Sequence, residues 1–482
     1  MELERNDIQG LIFSAYTKHH PCAGYVLLHV VNAATARSWL SRRVGEVTTA
    51  EKEKVDPKLS INLAFTASGL KNLGLNADML GSFSFAFQHG MTTPHRSRIL
   101  GDSDENDPTH WEWGGLAGTS VDVLLMVFAS DESVLKTELL RQQKEYAVNG
   151  ALQEIKVLVA GREPAKPSTA EHFGFADGIG QPTIAGTETA ERQRRRTNHA
   201  TELPAGEFLL GHTNVYGVTA DSPAVKPEED PRQLLPVVPA DSTALNAKAG
   251  MHDLGRNGSY LVFRQLAQNV AKFWTFLDSA TRAANGASDP DARERLGAKF
   301  VGRWKSGAPL VLSPKRDDER LASENNFGYL SKDPKGFACP VGAHVRRSNP
   351  RDALGPTKEE GLNSANRHRI LRRGRSYGHR LSNPLMDDHA ERGLLFICLN
   401  SDIERQFEFV QQTWINNPVF GGLTDEVDPL VGNLAKVDDA HFTVQDEKLR
   451  SRAHNLSRFV TVKGGAYFFL PSIRALKYLA SL

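Results

Sequence analysis

An α+β fold assembled twice over is what this sequence predicts, and three observations carry the prediction. Four apolar runs stand out along the 482 residues, and each leads through a polar break into a stretch with helical spacing. Two of the breaks share a Ser-Asp pair, in "ASDESVL" and "NSDIERQ", where a short acceptor side chain can cap the free amides of a helix. The first two units also lie about half a chain away from the last two, the mark of a weak duplication.

Each unit reads as strand, cap and helix. The first is "YVLLHVVNAATARSWL" from Tyr25, and the second is "DVLLMVFASDESVLKTELL" from Asp122. The third, "SYLVFRQLAQNVAKFWTFL", starts at Ser259, and the fourth, "GLLFICLNSDIERQFEFV", at Gly393. Two α+β modules follow, with two strand–helix units in each. Between them "TETAERQRRRTNHATELPAGEF" is polar throughout. Its Arg194, Arg195 and Arg196 are offset by neighbouring glutamates, so a solvated linker is expected rather than a basic docking patch. "DSPAVKPEEDPRQLLPVVPAD" has no period and is expected to wrap a surface as ordered loop. The boundary therefore falls between Gly186 and Gly206, with one module over residues 1–190 and the other over 205–482.

Composition narrows the function classes. A hydrophobic fraction of 40% with 24% charged residues belongs to a folded chain with a sizeable core. A net charge of +1 argues against a dedicated nucleic-acid or anionic-membrane partner. No apolar run is long enough to span a bilayer, and the acidic start "MELERNDIQGLIFSAYTKHH" lacks the pattern of a secretory signal, so a cytoplasmic protein is expected. Cys22, Cys339 and Cys398 have no paired spacing and are expected as buried free thiols.

Three stretches carry chemistry. "EHFGFADGIGQP", Glu171 to Pro182, sets Asp177 in a loop of three glycines and a proline, with Phe173 and Phe175 just before it. "DPKGFACPVGAHVRRSNPRD" holds His344 behind Gly342 and Ala343, small residues that would let a flat ligand approach the backbone. One of 16 histidines is ordinarily a surface or structural residue. No His or Cys cluster has zinc spacing, however, so a single-histidine metal site needs a metal that brings its other ligands, as haem does. "RHRILRRGRSYGHRL" crowds guanidinium groups behind an apolar lead-in, Ile370 and Leu371. That pattern carries at least one arginine inward toward an anion.

Together the three stretches resemble the dye-decolourising peroxidase family. Its Gly-x-x-Asp-Gly mark stands here as Gly174-Phe175-Ala176-Asp177-Gly178, followed by "IGQP". The proximal-histidine segment matches as "GFACPVGAHVRRSNPRD" and the distal-arginine segment as "ILRRGRSYG". The likeness runs on through "RGLLFICLNSDIERQFEFVQQTWINNP" to "FVTVKGGAYFFLP" and covers nearly the whole chain. Gly180 departs from it, since many relatives carry serine there. The resemblance implies duplicated ferredoxin-like modules of the dimeric α/β-barrel type, with antiparallel sheets and flanking helices.

It also implies a haem-b peroxidase that oxidises organic donors, dyes and phenols among them, with hydrogen peroxide. His344 matches the proximal iron ligand, Asp177 the distal acid and Arg372 the distal arginine, with Arg373 its rival. Gly178 and Ile179 would lie against the haem. The carboxylate behind the proximal imidazole is expected at Asp428, with Glu426 in reserve. Ile397 and Leu399 share one strand face and are expected to help roof the distal pocket, against a reading as plain core packing. Tyr377 and Trp414 match positions thought to relay radicals, against a reading as ordinary amphipathic packing. Iron release from haem and non-catalytic haem sensing are the rival activities; the presence of both Asp177 and Arg372 argues against passive binding.

Overall fold

The computed structural model describes residues 3–51, 58–161, 170–194 and 202–482. The basic run at Arg194–Arg196 lies outside them, apart from the backbone of Arg194. Nine strands form the main sheet: β1 (Cys22–Val30), β2 (Leu59–Phe65), β3 (Val123–Ala129), β4 (Leu152–Ala160), β5 (Ser259–Gln268), β6 (Leu371–Arg372), β7 (Arg375–Tyr377), β8 (Gly393–Asn400) and β9 (Val460–Leu470). Their order is β6–β8–β5–β9–β2–β3–β1–β4, with β7 also on β8, and all neighbours are antiparallel.

The duplication is visible in this order. In the first half the second strand lies beside the third, the third beside the first, and the first beside the fourth. The second half repeats this arrangement, with the short β6 and β7 together as its second strand. The halves join where Phe469 of β9 pairs with Phe65 of β2. At the far ends β7 comes against β4, so the sheet curls into a barrel.

The four polar breaks foreseen in the sequence are all Asx caps. Asn32 accepts the Thr35 amide ahead of α1 (Ala33–Arg43), and Asp131 that of Val134 ahead of α2 (Glu132–Ala147). Asn269 accepts from Lys272 at the start of α3 (Val270–Ala280), and Asp402 from Arg405 at 2.9 Å in the fourth unit. That fourth helix is wound as π-helix over Glu404–Glu408 and Val410–Ile415, a local form common at functional sites.

Strand alternation divides the core in two. Leu124, Met126 and Phe128 of β3 point into the barrel with Tyr25, Phe263 and Phe468. Leu125 and Val127 point outward beneath Trp39 and Leu40 of α1. The strands β2, β4 and β9 complete the sheet; β2 and β9 also lead into capped helices, Ala67–Leu73 behind Thr66 and Ile473–Ser481 behind Ser472. β4 is an edge strand whose side chains are mostly open, which blurs its period.

The seam between β2 and β9 is stitched by Gln9. Its Nε2 donates to the carbonyls of Leu63 and Pro471, both at 2.8 Å, and its Oε1 accepts from Leu63 N and Asn62 Nδ2, both at 3.0 Å. A buried amide thus stands in for the ladder bonds that the short pairing leaves out.

Candidate active site

The Asp177 loop is shaped by its own side chains. Phe173 and Phe175 are buried against α3, with the ring of Phe173 4.5 Å from Phe273 and that of Phe175 stacked 6.1 Å from Trp274. Between them Gly174 takes φ +97°, a conformation that a side chain would strain. Glu171 closes the turn, accepting the amides of Phe173 at 2.8 Å and Phe175 at 3.1 Å. The loop is tied to β6 by Gln181, whose amide both donates to the Arg372 carbonyl and accepts the Arg372 N–H, at 3.2 and 3.1 Å.

Asp177 and Arg372 form an ion pair at 2.8 Å, and the Gly178 amide donates to the same carboxylate oxygen at 2.6 Å. Burial alone would raise the Asp177 pKa; the Arg372 charge, the Gly178 amide and the Arg372 hydrogen bond outweigh it and hold the acid below its ordinary value. Arg373 turns the other way, donating to the Leu11 and Ile12 carbonyls at 2.8 and 2.6 Å. The two arginines are neighbours on an extended segment, so they take opposite faces.

His344 opens α4 (His344–Ser348). Its Nδ1 lies 3.0 Å from Asp428 Oδ2, while Asp428 Oδ1 accepts the amides of Leu430 and Val431 at 2.9 and 3.0 Å. Burial disfavours the charged imidazole, but Asp428 more than offsets this and raises the His344 pKa. Arg347 fixes the two segments together by donating to the carbonyls of Trp414 and Asn417, at 2.8 and 3.0 Å, and to that of Glu426. Glu426 itself accepts from the Thr443 amide, and its Oε1 sits where a Cβ on Gly342 would be. Gly342 thus makes room for this carboxylate rather than for a flat ligand.

Asp177, Arg372 and His344 line one cavity of about 290 Å³. Its apolar walls include Phe175, Ile179, Leu266, Phe396, Val410 and Val431. Four further arginines line it: Arg264 is paired with Asp102, and the other three are held by oxygen atoms that carry no charge. Arg303 donates to the Gly307 and Glu324 carbonyls, Arg351 to the Asn325 carbonyl and Arg369 to that of Gly180, at 2.7, 2.9, 2.9 and 2.7 Å. None of these three is ion-paired among the described residues, and burial pulls Arg303 down to about 10 and Arg369 to about 9.

This chain is 32% identical over its full length to dye-decolorizing peroxidase msp1 of Mycetinis scorodonius, covering 88% of that protein. It belongs to the dye-decolourising peroxidase family. A family model described as the DyP dimeric alpha+beta barrel domain matches residues 7–162. The multifunctional dye peroxidase DyP2 of an Amycolatopsis strain is 29% identical over 93% of the chain and 90% of its own length. Among solved structures, a dye-decolorizing peroxidase in complex with 2,6-dimethoxyphenol superposes with a TM-score of 0.76 at 27% identity, covering 99% of this chain and all of the other. The chain is thus a hydrogen-peroxide-dependent oxidoreductase of the α+β barrel fold. Among its described residues no helix is long and apolar enough to cross a membrane.

Of the residues read from the sequence of this peroxidase, Asp177, Gly178, Ile179, His344 and Arg372 line one cavity. Asp428, and not Glu426, meets the imidazole. Ile397 and Leu399 are a correction. They are fully buried inside the barrel with Leu395, and the cavity is lined instead by Leu394 and Phe396, one step along the strand. Side chains alternate along β8, so a one-residue shift moves them to the opposite face. Tyr377 and Trp414 lie outside the lining. The Tyr377 ring packs on the barrel core, and its carbonyl accepts from His172 at 2.7 Å. Trp414 is 3% exposed, with its ring 5.3 Å from His368. Arg303 lies outside every sequence motif; Arg351 and Arg369 lie inside the His344 and Arg372 segments, where nothing in the sequence separates them from solvated neighbours.

Proposed function

We propose that this peroxidase works with haem b held by His344, with Asp177 and Arg372 as its distal pair. The single observation behind the proposal is that the Asp177–Arg372 pair and His344, oriented from behind by Asp428, line one largely apolar cavity. The lining suits this cofactor. With Nδ1 engaged by Asp428, the remaining ring nitrogen of His344 is without a protein partner among the described residues. The cavity cations Arg303, Arg351 and Arg369 have no carboxylate at ion-pair distance among the described residues, and would complement the two propionates of such a macrocycle. Haem bound there supplies the redox-active iron that binds peroxide and takes up its oxidising equivalents.

The chain's own residues do the rest. Asp177, kept ionised by Arg372, takes a proton from the nearer peroxide oxygen and returns it to the departing one. Arg372 stays charged at any working pH and stabilises negative charge that develops as the O–O bond opens. Asp428 accepts the Nδ1–H of His344, which orients the ring and strengthens its other nitrogen as a donor. Small phenols and dyes are the reductants this reading implies. For donors too large to enter, Tyr377 and Trp414 are proposed as relays, since tyrosine and tryptophan are the readily oxidised side chains on the two segments that flank the cavity.

An absorption spectrum of the purified protein tests this, taken before and after one equivalent of peroxide. A haem band that shifts on the addition is expected. His344→Ala should fold yet carry little or no haem. A His344→Ala protein with its full haem complement and an unchanged spectrum would overturn the ligand assignment.

A further inference from the structure

The cavity holds a second carboxylic acid that the reaction described above does not use. Glu171 stands six residues before Asp177 on the same loop, which is closed by the Ala170–Ala176 bridge and by the Glu171 N–H to the Phe175 carbonyl at 3.0 Å. Its side chain lines the same cavity as Asp177. Three neutral donors reach it: the Phe173 and Phe175 amides and, at 2.7 Å, Gln268 Nε2. No cation lies within ion-pair distance of its carboxylate among the described residues.

The charged groups around it are engaged elsewhere. Arg372 pairs with Asp177, Arg264 with Asp102 across the cavity, and Lys305 with Glu294 at 2.9 Å. Arg380 donates to the Ala170 and Glu171 carbonyls, His172 meets the Tyr377 carbonyl, and Arg303 holds the Gly307 and Glu324 carbonyls. Burial therefore pushes the Glu171 carboxyl up to about 7, against its three hydrogen bonds and with a further push from the Asp177 charge. Asp177 moves the opposite way. Two carboxyls in one cavity whose environments separate them in this manner take the parts of proton holder and proton acceptor.

We propose that Glu171 is the proton store of this cavity, holding a proton while Asp177 is ionised and releasing it as the oxygen left after O–O cleavage is reduced to water. The proposal rests on the haem peroxidase reading above. Reducing one peroxide to two waters takes up two electrons and two protons. Organic donors supply the electrons. A bulky donor oxidised at the surface releases its proton to solvent there, so that proton does not travel inward with the electron. Glu171 supplies one proton with each electron by breaking its O–H bond, and the carboxylate regains a proton from solvent between the two transfers and again before the next turnover.

Infrared spectroscopy of the haem-loaded enzyme across a pH series tests this. A protonated-carboxyl C=O band should disappear with a midpoint near 7 and be missing from Glu171→Gln. In rapid mixing, Glu171→Gln should react with peroxide at the parental rate, yet return to its resting spectrum with a bulky dye about 10²-fold more slowly, the lower end of what a positioned acid contributes. Gln268→Met keeps the carboxyl and removes one donor to its ion, so it should move the midpoint upward; this variant serves if Glu171→Gln does not fold. A midpoint at the ordinary glutamate value, one that Gln268→Met leaves unmoved, or equal return rates would each sink the proposal. A haem-loaded, peroxide-reactive enzyme without the band would fail it alone. Absence of haem would overturn the underlying reading and this proposal with it.

Discussion

Asp177 shows how one side chain draws its chemistry from its neighbours. A carboxyl facing an apolar cavity would by itself be a poor base in acid, because burial favours its neutral form. Arg372 at 2.8 Å and the Gly178 amide reverse that preference, so the base stays ionised to below the usual aspartate value. The sign is direct: a depressed pKa means proton-accepting activity present above it and lost only as pH falls through it. Dye oxidation should therefore be best in moderately acidic solution, below the ordinary histidine value of about 6.5. Asp177→Asn should lose that optimum and about 10²–10⁴ in rate, and Arg372→Leu should slow the peroxide reaction and move the acid limb to higher pH. An optimum near neutrality that survives Asp177→Asn would refute the assignment. Tyr377→Phe and Trp414→Phe belong to the same scale. Each should slow turnover of a large anthraquinone dye and leave small-phenol oxidation unchanged; parental dye rates in both and in the double variant would rule the relay out. Because Trp414 is buried, a dye cannot touch its ring and the electron must cross the intervening atoms to reach it.

At the scale of the element, β8 carries two jobs on two faces. Leu395, Ile397 and Leu399 fill the barrel, while Leu394 and Phe396 line the cavity. In "LLFICLN" nearly every residue is apolar, so alternation in the sequence cannot say which set faces which side. The substitutions differ in what they disturb. Ile397→Ala should cost about 2–5 kcal/mol in denaturant unfolding while leaving the haem spectrum as it was. Phe396→Ala should shift that spectrum at a smaller cost in stability. The reverse pattern would mean that the strand faces are exchanged. The π-helical turns after β8 were equally hidden, since an extra residue per turn leaves no local signature in composition. They bring Val410, Gln411 and Ile415 to the cavity.

For the whole molecule, the decisive feature is that two similar halves share one barrel. Their seam is narrow, with Phe469 and Phe65 as the paired residues, and Gln9 fills it from a segment far away in sequence. Replacing Gln9 by leucine would leave the Leu63 N–H and the Leu63 and Pro471 carbonyls buried without partners. Each such group costs roughly 1–3 kcal/mol, so Gln9→Leu should lower the unfolding free energy by several kcal/mol. The transition should remain single, and haem content of the folded fraction should not change. Loss of less than about 1 kcal/mol would show that the seam relies on packing alone.

The strand–helix units, their polar breaks, the duplication and the residues able to do chemistry are legible in the chain's own order of residues, because these depend on local periodicity and on side-chain type. Asp177, His344 and Arg372 fall in loops and strand ends there, but the choice between Arg372 and Arg373 and between Asp428 and Glu426 stays open. The fold makes those choices, together with the face of β8 and the cavity positions of Glu171, Arg303, Arg351 and Arg369. Each of these depends on which way a side chain points once the strands are in register. Register is fixed by pairing between segments distant in the chain, and no local pattern carries it.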